Sequence, residues 1–284
     1  MKKIIVPYDF SEHAGYALDF ACQIAENNSG QIQLLHVIDH PVKREVRITG
    51  EVDSDDQSER IYMIELIRKI KGQLTEIDIQ SKFPDVELSK KVVIGNPFES
   101  IGEEVAQFEA DLIVMGTKGS NGLSELIVGS NSEKVVRFSK CPVITVSDQF
   151  DFNAIRNIAF ATNFEDGRES ILQELVKYQQ LFNAKLHLVW VHSVHDISPD
   201  DKVRENLEKF ASKSGLQNYE IHTERAVTPD EGIMFFAQDQ HMDMIAMTTH
   251  GRKGLMHLFL GSVAENVVNH ANKPVWTFSL KAIS

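Results

Sequence analysis

Residues 115–136 read MGTKGSNGLSELIVGSNSEKVV, with glycines at 116, 119 and 129 and then Ser130-Asn131-Ser132. Glycine serves where backbone must take φ > 0 or pass close to another group. Free backbone N–H groups in such a turn, followed by the first turn of a helix, form a donor set suited to phosphate. Lys118 adds a local positive charge. Far upstream, Asp9 in VPYDFSEH follows a β-branched run and could accept hydrogen bonds from ribose hydroxyls. Each feature also has a plainer reading. Ser130 and Glu133 make an S-x-x-E capping box, which Ser262 and Glu265 repeat. Gly116 can simply end a strand, and Asp9-Phe10-Ser11 can be turn chemistry with Ser11 as N-cap. Gathered at one edge of a sheet, the same residues describe a nucleotide pocket.

The elements that would place them there occur twice. GLSELIVGSNSEKVVRFSKCPVITV (122–146) aligns with GLMHLFLGSVAENVVNHANKPVWTF (254–278) at an offset of 132, and DLIVMGTKG (111–119) with DMIAMTTHG (243–251). Near the starts the offset is 154, pairing KIIVPYDFS (3–11) with NIAFATNFE (157–165) and LLHVID (34–39) with LVWVHS (188–193). The difference is 22 extra residues in the first copy, between about 40 and 62. They are polar and charged, and read as a surface loop running into a helix. Two tandem domains follow, 1–148 and 154–284, each near the usual domain size.

Within each copy, β-branched runs alternate with helical periodicity. KIIVPY, QIQLLHVI, KKVVI, DLIVMG and PVITVS read as strands. Apolar residues at 14, 17, 18, 21, 24 and 25 put one helical face on 13–28, and helices are expected over 62–74, 98–109 and 132–138. The fold class is therefore α/β: two tandem doubly wound, Rossmann-like domains, each a five-stranded parallel sheet flanked by helices. Such sheets bind ligands beyond the carboxyl ends of their strands, where strand order reverses. If strands one and four flank that point, Asp9 and the 116–132 turn face one crevice. The last strands, PVITV and PVWTF, would otherwise be exposed edges and are candidates to pair.

Gly116-x2-Gly119-x9-Gly129-Ser130, with the opening VPYDFSEHAGYALDFA, resembles the nucleotide-binding class of universal stress proteins over nearly the whole chain. The resemblance implies an adenine-nucleotide fold, held as ATP, ADP or AMP and with Mg2+ on the phosphates, in a stress-response or regulatory protein. It implies pairing of domains through their last strands, an internal pseudo-dimer with homodimerisation of the whole chain open. Carried over by position, Pro7, Asp9 and Val37 would surround adenosine, and Gly116, Gly119, Gly129, Ser130 and Ser132 would hold ribose and phosphates. Tyr8, Met115, Lys118 and Asn131, their neighbours in sequence, are counted in the same nucleotide-binding site. The second copy departs from the pattern: Asn163 stands for Asp9, Glu165 for Ser11 and Thr248 for Gly116. It reads as a degenerate site.

Composition limits the rest. A net charge of −12 argues against nucleic acid or an anionic membrane as partner. Cys22 and Cys141 are isolated and read as buried free thiols of a reducing compartment. The apolar run after the two N-terminal lysines is too short for a signal-peptide core, and no stretch reaches membrane-helix length, so the expected location is cytoplasmic. No catalytic constellation is spaced in the sequence: there is no P-loop and no G-x-S-x-G elbow. His192-Ser-Val-His195 lacks a third ligand, so no metal site is assigned. His250 and His257 flank the second glycine turn without partners at ligand spacing. Two alternatives stay open, a slow ATP hydrolase without a nameable general base and a protein-interaction scaffold with a vestigial pocket.

Overall fold

The computed structural model describes residues 2–40, 57–117, 130–161, 169–194, 196–249 and 260–279. In the first half β1 (Lys3–Pro7) leads to α1 (Glu12–Asn28), then β2 (Gln31–Asp39), α2 (Gln57–Glu76) and β3 (Glu87–Gly95). α3 (Pro97–Phe108), β4 (Leu112–Gly116), α4 (Ser130–Phe138) and β5 (Val143–Val146) complete it. After a short 3-10 turn, the second half repeats the series. It runs β6 (Asn157–Ala161), α5 (Glu169–Phe182), β7 (Lys185–His192), α6 (Asp200–Ser214), β8 (Tyr219–Arg225), α7 (Pro229–Asp239), β9 (Met244–Thr249), α8 (Leu260–His270) and β10 (Val275–Ser279).

The helix starts follow local chemistry. Ser11 caps α1 by accepting from the Ala14 N–H, and Asn96 caps α3 by accepting from Glu99, with Pro97 at the first helical position. α1 ends on Ser29 in the left-handed region, φ 50°, and the end of α5 repeats this at Asn183, φ 48°. The match 29 to 183 keeps the offset of 154 gapless through the first helix of each copy. α2 begins at Gln57, so the second part of the 22-residue insertion is helical, while 41–56 lie outside the described residues.

The two halves share one ten-stranded sheet, ordered β3-β2-β1-β4-β5-β10-β9-β6-β7-β8. Strands within each half are parallel, and the halves meet through β5 and β10, which pair antiparallel with Trp276 opposite Ile144. The joint is symmetric: the Thr145 hydroxyl donates to the Val275 carbonyl, and that of Thr277 to the Val143 carbonyl, each at 3.3 Å. The expected pairing of last strands is thus what removes those two edges.

Helices cover both faces, as an all-parallel half-sheet requires. On one face α1, α2, α5 and α6 bury Ala17, Phe20, Ile24, Ile67, Leu175, Phe182 and Leu207 against the sheet. On the other, α3, α4, α7 and α8 bury Ile101, Val105, Val136, Phe236 and Val267. Each core runs through both halves. Among the described residues no helix is long and apolar enough to cross a membrane.

Candidate functional site

The strand order reverses between β1 and β4, which are neighbours in register Ile4–Leu112 and Ile5–Ile113. Their carboxyl ends, Pro7 and Gly116, therefore open side by side. This is the switch point at which such sheets hold ligands.

The β1 side is a braced turn. The Tyr8 N–H donates to the Leu35 carbonyl at 2.8 Å, carrying the chain one residue along the sheet. Asp9 Oδ1 then accepts from the Ser11 N–H at 3.0 Å, an Asx turn that presents Ser11 as the cap of α1. Between them Phe10 sits at φ 65°, in the left-handed region. Its ring meets Tyr8 edge-on at 5.4 Å and lies 5.0 Å from the His36 ring. His36 Nδ1 is 2.7 Å from the Tyr8 carbonyl, which can only accept, so that nitrogen carries the proton. Burial holds the His36 pKa down, more than the Tyr8 carbonyl and the Asp9 charge raise it. Burial and then the Asp9 charge push the Tyr8 phenol up.

On the β4 side, Met115 turns its side chain into the core under α3 and α4. Its contribution to a ligand would come from backbone. Gly116 sits half-buried against the start of α1. Ser132, buried on the first turn of α4, donates from Oγ to the Gly116 carbonyl at 3.4 Å and so ties the helix start to the strand end. Val37, near the end of β2, is half-buried beside this edge. Pro7, Tyr8, Asp9, Val37, Met115, Gly116 and Ser132 are thus gathered at the carboxyl ends of β1, β2 and β4. Ser130 and Asn131 begin α4, with side chains not among those described; Lys118, Gly119 and Gly129 lie outside the described residues.

One neighbour, His36, was not singled out from sequence, while Phe10 was read only as part of the turn and His13 only as an early residue of the helix near Asp9. The one usable signal was register. A residue preceding Val37 on the adjoining parallel strand must lie beside the β1 turn.

In the second half, Thr248 is buried on β9 beside β6. Asn163, Glu165, His250 and His257 lie outside the described residues. His192 is the last residue of β7 and 2% exposed. Its nitrogens lie 3.1 Å from Asp196 Oδ2 and 3.0 Å from Asp200 Oδ1, neither contact aligned as a hydrogen bond. Asp196 is desolvated, which alone would raise its pKa. Donation from Ser198 and Trp190, with His192 beside it, outweighs that and holds it down at about 2. His195 lies outside the described residues.

The family model described as the universal stress protein family matches residues 1–147 and again 154–279. The chain belongs to the universal stress protein family. A relative that shares its length is the universal stress protein Slr1230 of Synechocystis, 24% identical over 298 residues, covering 98% of this chain and 100% of that one. The archaeal universal stress protein MJ0577 of Methanocaldococcus jannaschii is 29% identical over 155 residues, 51% of this chain and 94% of its own. Among solved structures, a universal stress protein from Archaeoglobus fulgidus superposes with a TM-score of 0.69 at 21% identity, covering 98% of this chain and 96% of that chain. The doubled universal stress fold therefore extends across the whole chain.

Proposed function

We propose that the first half binds an adenine nucleotide, ATP, ADP or AMP, and that occupancy regulates a stress response through conformation or partner choice. The observation carrying this reading is the adjacency of β1 and β4 at the strand-order reversal. It brings the Asp9 turn and the start of the Gly116–Ser132 segment to one crevice. Adenosine would lie between Pro7, Tyr8, Asp9, Val37 and the Met115 backbone. The glycine turn, with Lys118, Gly119, Gly129, Ser130, Asn131 and Ser132, would take ribose and phosphates at the start of α4. Mg2+ would enter with the phosphates of ATP or ADP.

The second half, 154–284, is read as degenerate because Asn163 replaces the carboxylate of Asp9. An amide keeps hydrogen-bonding capacity yet loses the charge that a ribose diol favours. The experiment is calorimetric titration of nucleotide-stripped protein with ATP, ADP and AMP, with and without Mg2+, beside Asp9→Ala and Gly129→Val. One site per chain, lost in both variants, is the expected result. Two sites would overturn the degenerate reading of the second half, and no binding at millimolar nucleotide would overturn the pocket itself.

A further inference from the structure

We infer that His187, His222 and Glu220 form a site for a divalent transition metal, best matched by Zn2+, at the outer edge of the second half. His187 lies on β7 and the other two on β8, with side chains on the face that α7 covers. Their ligand atoms converge: His187 Nδ1 is 3.1 Å from His222 Nε2, and Glu220 Oε2 is 3.6 Å and 3.7 Å from those two nitrogens. Zinc bound at about 2.0–2.2 Å to nitrogen and oxygen in a tetrahedron separates its ligands by about 3.3–3.6 Å. The three edges straddle that range.

The groups around the triangle prepare it. Asn157 Oδ1 lies 3.2 Å from His187 Nε2, so that nitrogen keeps the proton and Nδ1 turns its lone pair inward. Lys185 takes the other oxygen of Glu220 at 2.5 Å, leaving Oε2 toward the rings. The Phe236 ring, 4.9 Å from His222, covers the inner side. With three protein ligands, the fourth position is left for water or a donor from outside.

The duplicated half supplies an internal comparison. By the offsets of 154 and 132, Gln33 stands at the place of His187 and Glu104 at that of Phe236. There the slot is closed by a direct hydrogen bond, Gln33 Nε2 to Glu104 Oε2 at 2.8 Å, and by Lys91 at 2.7 Å from Glu104. Two imidazoles and a carboxylate in the second copy are therefore a departure from the repeated fold. A bare His–His hydrogen bond would account for one edge of the triangle but not for Glu220 facing both rings.

The test uses the untagged full chain after chelator treatment. Co2+ should give the intense visible bands of a four-coordinate ion, and Zn2+ should displace it at one equivalent. Competition against a chromophoric chelator should show affinity falling by more than about tenfold in His222→Ala and Glu220→Gln, and by about tenfold in Asn157→Ala. Circular dichroism of each variant confirms its fold, and Glu220→Gln preserves shape should His222→Ala disturb β8. No uptake by the wild type, or full affinity in both His222→Ala and Glu220→Gln, would overturn the site.

Discussion

A Cβ built on Gly116 would lie 2.7 Å from the carbonyl carbon of His13 and 2.8 Å from its Cβ. The glycine is thus required where α1 passes over the end of β4, whatever else approaches it. At the equivalent positions of the second copy stand Thr248 and Gly167, the latter outside the described residues. The bulky and the small partner have exchanged places. In the first copy two of the three nearest atoms, the carbonyl carbon and oxygen of His13, are backbone, so a smaller residue at 13 relieves only the contact with its Cβ.

This exchange can be reproduced in the first half. Gly116→Thr alone should destabilise the ligand-free protein by about 1–3 kcal/mol through overpacking. Adding His13→Gly should recover part of the loss, giving a favourable coupling in a double-mutant cycle measured by chemical denaturation. Strict additivity of the two changes would show that the contact does not decide the residue.

Acid should weaken the β1 turn through His36. Its pKa is lowered on folding from about 6.5, so the unfolded chain binds the proton first. The associated stability is complete above that value and is lost as pH falls through the lower folded one. Thermal melts from pH 7.5 to 5.5 should therefore fall more steeply for the wild type than for His36→Gln. Parallel curves would exclude His36 as the titrating group.

Both thiols should resist alkylation in the native protein. Burial pushes Cys22 up to about 12 and Cys141 up to about 11, and both side chains are closed off in the two cores. Labelling at pH 8 should proceed only as fast as the chain opens, and should accelerate in urea with the unfolding transition. Fast labelling of native protein would contradict this burial.

Trp276 anchors the joint. It is 1% exposed, with the Tyr178 ring 4.5 Å away and Phe160 at 6.4 Å. Trp276→Ala should cost about 3–5 kcal/mol. Because the sheet and both cores cross the joint, scanning calorimetry should still show both halves melting in one transition. Two separated transitions in the wild type would show that they hold themselves independently.

Much of this architecture is legible in the chain because its signals are periodic. Alternation of β-branched runs with helical faces, repeated at 154 and 132, specifies five strands twice, and the apolar last strands indicate where the copies meet. Element ends were less legible. α2 starts five residues before Tyr62 and β3 three before Lys90, since helix and strand continue through polar, solvent-facing residues that carry no apolar period. Within the crevice, Asp9, Gly116 and Ser132 were readable as residue types at strand ends and a helix start. The tie between His13 and Gly116 was not, because it depends on how closely a helix crosses a strand. The His187–Glu220–His222 triangle was likewise hidden: His187 and His222 are 35 residues apart, and only the β7–β8 register makes them neighbours.

The antiparallel meeting of β5 and β10 has one more consequence. Each half points the carboxyl ends of its strands, and whatever they hold, toward the opposite border of the molecule from its twin. An assembly of two identical subunits must accept every substitution at both places at once. Covalent fusion lifts that constraint. One border can keep an ancestral task while the other drifts toward a new one, and the shared sheet keeps the two in a single body throughout.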